Sequence, residues 1–108
     1  MADQKLLEEF DEAMHDIYRR ALSEAKYPAT RFLEMLYAHR GLETARILLH
    51  APEVSDGYTT LWNRGRLDLT VEAVIHENTR WHALFTDEEL AICRKRLADF
   101  LYFKTGDK

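Results

Sequence analysis

Apolar residues between Asp3 and Ala25 recur at Leu6, Leu7, Phe10, Met14, Ile17, Tyr18, Ala21, Leu22 and Ala25. Within that set Leu7, Phe10, Met14, Ile17 and Ala21 are spaced 3, 4, 3 and 4 residues apart. The rhythm places one apolar stripe along an amphipathic helix. No Gly or Pro interrupts it. Asp3 stands where an N-cap belongs, Glu8 and Glu9 lie toward the positive helix start, and Arg19 and Arg20 lie toward the negative end. The stripe is long for so small a chain, which leaves two uses open. It packs on the chain's own core, or part of it packs on a second copy through Leu7, Phe10, Met14 and Ile17, giving a homodimer through residues 3–25.

Lys26-Tyr27-Pro28 ends this helix, because proline disfavours helical geometry in the residue before it. A second helix is predicted from Pro28 or Ala29 to His39, with Phe32, Leu33, Leu36 and Tyr37 on one side and Gly41 as a left-handed cap. A third runs from Leu42 to His50 and stops at Pro52. Ser55 or Asp56 then caps a short helix holding Tyr58, Leu61 and Trp62, with Gly65 as its exit. From Leu67 to Ile75 apolar and polar residues alternate as in a strand, so a hairpin over residues 58–75 is one reading and an α+β fold would follow. The same residues fit a helix with Asp68 as N-cap and Glu72 in its first turn. Helix is preferred, because a lone two-stranded hairpin is a poor structure among helices. Asn78 closes the segment, and Trp81, Leu84 and Phe85 form an apolar connector. Thr86-Asp87-Glu88-Glu89 reads as a capping box before a last helix reaching about Phe103, with Leu90, Cys93, Leu97, Phe100 and Leu101 inward. The expected fold is all-α: one compact domain, residues 1–108, of five or six helices.

Composition narrows the functional classes. The chain has 108 residues, 15 basic and 19 acidic, for a net charge of −4. Nucleic acid is therefore not the first expected partner, although Arg31, Arg40, Arg46 and Arg94 to Arg96, gathered by folding, would make a patch for it. No run of about 18 apolar residues and no basic stretch leading into an apolar one is present at the start, so a soluble cytoplasmic protein without membrane contact is expected. The single Cys93 excludes an internal disulfide, and its apolar helix position reads as packing.

Chemistry is sparse. The five histidines do not share a metal-binding spacing: His76 and His82 are six residues apart, while His15, His39 and His50 lie on separate segments. Zinc normally takes three or four protein ligands, so neither a metal nor another cofactor is expected. No nucleophile elbow, phosphate loop or HExxH motif occurs. Glu72 and His76, four residues apart, are the one pair for a small enzyme with an unrecognised site. The densest polar constellation is Arg64, Arg66, Asp68, Thr70 and Glu72 beside Tyr58 and Trp62. Arg, Trp and Tyr are favoured at interface hot spots, which makes Tyr58, Trp62, Arg64, Arg66, Asp68 and Glu72 the candidate protein-binding residues. The architectural alternative has Asp68 capping a helix, Arg66 pairing with Asp68 or Glu72, and the rings filling the core.

The run from Ser55 to Glu72, SDGYTTLWNRGRLDLTVE, is similar to one that marks a widespread group of short uncharacterised bacterial proteins. The flanks Ala29–Leu36, Gly41–Ala45 and Leu84–Leu90 resemble that group as well, so the likeness extends from about Ile17 to Leu97. The resemblance implies a bacterial, cytoplasmic origin and no catalytic residues. The function expected from all of this is a small non-catalytic protein-interaction or regulatory module.

Overall fold

The computed structural model describes residues 3–103, and within them the chain forms helices and no strand. The α-helices are α1 (Gln4–Ala25), α2 (Thr30–His50), α3 (Asp56–Asn63), α4 (Val71–Glu77) and α5 (Asp87–Asp99). Short 3-10 turns at Leu67–Leu69 and Thr79–Leu84 flank α4. The Leu67–Ile75 ambiguity resolves as helix, and no hairpin forms at residues 58–75.

Side-chain caps set most helix starts. Asp3 accepts from the Lys5 N–H, Ser55 from Tyr58 and Thr70 from Ala73. The expected N-cap Asp68 is thus displaced by Thr70, whose hydroxyl lies next to the first helical turn of α4. Thr86 accepts from Glu89 N–H at 3.1 Å, and the Glu89 carboxylate accepts from Thr86 N–H at 2.9 Å, completing the capping box.

Three helix ends use a residue with positive φ, at Lys26, Gly65 and Leu101, and only one of these is glycine. Gly65 (φ 72°) closes α3, with Arg66 N–H on the Leu61 carbonyl at 2.8 Å and Gly65 N–H on Trp62 at 3.0 Å. Leu101 (φ 66°) closes α5 in the same way, through Tyr102 N–H on Leu97 and Leu101 N–H on Ala98. That closure shortens the last helix from the expected Phe103 to Asp99 and turns Leu101 outward, 62% exposed, rather than inward. A left-handed L-residue costs about 1–2 kcal/mol, which glycine avoids. Leu101→Gly is therefore expected to stabilise the fold by about 1 kcal/mol, read as a higher urea midpoint with an unchanged m-value.

The second and third predicted helices are continuous in hydrogen bonding but broken in direction. The break falls at Arg40 (φ 67°, ψ 178°), not at Gly41. Gly41 is required for another reason: a Cβ there would lie 2.9 Å from the Asp11 Cα on α1. The close approach lets the Asp11 carboxylate accept the Gly41 N–H at 2.8 Å. Across the break, the fully buried Thr44 hydroxyl donates to the Met35 carbonyl at 3.1 Å. The first contact ties the bend to α1 and the second spans the break itself.

The main core runs from Phe10, Met14 and Ile17 on α1 through Leu36, Ala45 and Leu49 on α2 to Ile75, Trp81, Phe85 and Cys93. Phe10 meets Trp81 and Phe85 edge-on at 5.3 and 5.6 Å between ring centroids. Phe10, Met14 and Ile17 are therefore inside their own chain and present no face to a second copy; Leu7 is half-buried against the same core. The long stripe is explained by α1 meeting α2 and both flanks of α4.

Candidate functional site

The polar segment from Tyr58 to Glu72 splits on folding. Tyr58 and Glu72 are buried and so are not surface candidates. The Tyr58 hydroxyl donates to the Arg96 carbonyl at 2.9 Å. Glu72 pairs with Arg96, not with Arg66, at 2.8 Å, where burial pushes its carboxyl up and the guanidinium opposes that push. Arg96 also donates to the carbonyls of Leu48, Leu49 and Ala51. One side chain from α5 thus covers the negative end of α2, and Glu72 balances its charge.

The same device recurs. Arg64 donates to the carbonyls of Ala25 and Lys26 at the end of α1 and sits 6.0 Å from the Tyr27 ring centroid. Arg46 donates to the Leu84 carbonyl at the end of the second 3-10 turn. Its Nε lies 3.5 Å from Glu89, which also holds His50 at 2.7 Å. Burial works against the Glu89 carboxylate, but the Thr86 N–H, His50 and Arg46 outweigh it and keep its pKa below the ordinary value. With Arg46 and Arg96 turned onto carbonyls, the arginines do not assemble into the single nucleic-acid patch considered from sequence.

Arg66 and Asp68 do come together. Arg66 donates to both Asp68 oxygens at 3.0 and 3.1 Å and to Glu24 at 2.7 Å, while Arg20 holds Glu24 from the other side. Hydrogen bonds from Arg20 and then Arg66 lower the Glu24 pKa to about 2. Because the folded value lies below the unfolded one, this stabilisation is complete above the unfolded pKa and fades as pH falls toward about 2. Glu24→Gln is expected to flatten the loss of stability between about pH 5 and pH 2, measured as thermal midpoints across that range.

The surface that remains from this segment is aromatic. Trp62 is 44% exposed and stands edge-on to Phe100, ring centroids 5.1 Å apart; Phe100 in turn meets Tyr58 at 4.9 Å. Just beyond α5, Leu101 and Phe103 are also exposed, and Phe103 meets His76 at 5.1 Å. His76 is half-buried against Phe103, while the Glu72 carboxylate is engaged by Arg96. On the far side of Phe100 a shallow groove of about 600 Å³ runs between the loop after α2 and α5, floored by Pro52, Val54 and Ile92 and edged by Lys95 and Asp99. Burial pushes the Cys93 thiol up to about 12, so it stays protonated and unreactive. Among the described residues no group of three His, Cys, Asp or Glu side chains converges as a metal ion requires, and no helix is long and apolar enough to cross a membrane.

Sequence reasoning placed Trp62 at this surface but missed Leu101 and Phe103. In sequence Leu101 reads as facing inward and Phe103 only as the end of the helix, and the left-handed closure at Leu101 left no glycine as a signal. The chain matches no protein-family model, no curated protein and no solved structure in the comparisons made with each.

Proposed function

We propose that this chain is a small, non-catalytic protein-interaction or regulatory module of the bacterial cytoplasm, docking a partner protein on the face made by Trp62, Leu101 and Phe103. The observation that carries this reading is Leu101. Its backbone is held in a costly conformation, yet its side chain is 62% exposed and gains little burial in return. Strain kept at an exposed apolar residue is characteristic of a contact surface. Trp62, whose ring meets that of Phe100, the residue before Leu101, supplies the large rigid ring favoured at interface centres, and the groove lined by Phe100 gives room for a partner side chain. The likeness of residues 55–72 to the bacterial group adds no activity to this reading.

The test is capture from source cells with two baits, the unchanged chain and Leu101→Gly. The variant is expected to be at least as stable and to lose a protein that the unchanged chain retains. Trp62→Ala is expected to lose the same protein. Equal recovery by all three baits would remove this face from consideration.

A further inference from the structure

We propose that the break in α2 presents Arg40 as an anchor for an acidic protein segment, a second contact surface that rests on the interaction-module reading but shares no residue with the aromatic face. The combination of φ 67° and ψ 178° at Arg40 is one that glycine alone adopts readily. The side chain held there is 72% exposed. Among the described residues its one carboxylate within 4 Å is Asp11, whose Oδ2 lies 3.8 Å from Nε, beyond hydrogen-bond reach. The other Asp11 oxygen is engaged by the Gly41 N–H. Asp11 therefore flanks the inner edge of the guanidinium, and among the described residues nothing hydrogen-bonds its two terminal nitrogens. The arginines at positions 46, 64, 66 and 96 contrast with this, since each donates to carbonyls or carboxylates of its own chain.

Three residues before Arg40, Tyr37 is 75% exposed and meets His15 edge-on at 5.7 Å between ring centroids, and the His15 Nε2 in turn lies 4.0 Å from the Asp11 Oδ2 that flanks Arg40. Arg31 and His39, also exposed on α2, line a separate shallow groove of about 560 Å³ with Glu34 and Met35, and neither Arg40 nor Tyr37 lines it. A planar fork with free terminal nitrogens matches a carboxylate through two parallel hydrogen bonds, and tyrosine next to arginine adds apolar contact at little entropic cost. An acidic peptide fits better than a nucleic acid. Tracking phosphates needs several aligned cations, and the turning inward of Arg46 and Arg96 leaves too few.

The experiment is fluorescence anisotropy at low ionic strength with a labelled oligo-glutamate peptide, with a labelled oligo-thymidylate as the competing probe. The unchanged protein is expected to bind the peptide and to release it as salt rises. Arg40→Gly is expected to weaken binding by about tenfold while melting no lower than the unchanged protein. Arg40→Gln and Tyr37→Ala, which keep the backbone geometry available, are expected to weaken it in the same direction. Arg94→Gln, at an exposed arginine of α5, and Leu101→Gly are expected to leave it unchanged, so the two surfaces fail separately. The proposal is overturned if the peptide does not bind, if Arg40→Gly and Arg40→Gln bind it as the unchanged protein does, or if the oligonucleotide binds more tightly than the peptide.

Discussion

Replacing Arg96 by methionine is expected to destabilise the fold by about 3–5 kcal/mol, the range for removing one partner of a buried ion pair. Three carbonyls at and just beyond the end of α2 lose their donor, and Glu72 is left inside without a counter-charge. Against a typical total of about 5–15 kcal/mol, that loss leaves a marginal protein. Lysine is not expected to rescue it, because one ammonium does not reproduce a planar fork that meets a carboxylate and several carbonyls at once. The double variant Arg96→Met/Glu72→Met is expected to recover part of the loss, since the unpaired charge is gone while the open helix end remains. Urea titrations of the three variants check this. A double variant no more stable than Arg96→Met alone would show that the carbonyl contacts, not the buried charge, dominate.

Gly41→Ala is expected to destabilise by about 1–3 kcal/mol, the usual range for forcing added atoms into a packed contact. The new methyl would lie 2.9 Å from the Asp11 backbone and 3.2 Å from the Met14 side chain, so α1 and α2 must separate. Separation also lengthens the Asp11–Gly41 hydrogen bond. Intrinsic helix propensity points the other way, favouring alanine by about 1 kcal/mol, so a measured loss isolates the close approach. A urea midpoint equal to or above that of the unchanged protein would contradict the contact.

The amphipathic spacing in α1, the Ser55 and Thr86 caps, the Gly65 exit and the burial of Cys93 were all legible in the sequence, because each depends on residues within one or two turns of each other. The break near residues 40 and 41 was legible too, but its mechanism was not. A glycine before a helical run reads as a left-handed cap, whereas here it answers a neighbour about thirty positions away. The pairing of Glu72 with Arg96 and of Arg66 with Glu24 was hidden for the same reason: local spacing offered Asp68 or Glu72 to Arg66, and the structure keeps Asp68, adds Glu24 from α1 and gives Glu72 to Arg96 instead. Self-association through Leu7, Phe10, Met14 and Ile17 rested on stripe length alone, which does not distinguish one's own core from a twin's. Of the six binding candidates, Trp62 alone lies on the proposed docking face. Arg64 and Arg66 serve helix ends and ion pairs, Asp68 accompanies Arg66, and Tyr58 and Glu72 are interior.

The arginine contacts with helix-end carbonyls carry a consequence for how the chain matures on the ribosome. Arg64 and Arg96 each reach back about 40 to 50 positions to a helix that is synthesised long before them. A nascent chain that has emerged only as far as α2 has neither clasp, and its final carbonyls there must rely on water. At roughly 5–20 residues per second, several seconds pass before residue 96 is added. Cooperative closure is thus deferred until Arg96 has been added and has emerged, and a product stalled before that point is expected to be a target for proteases.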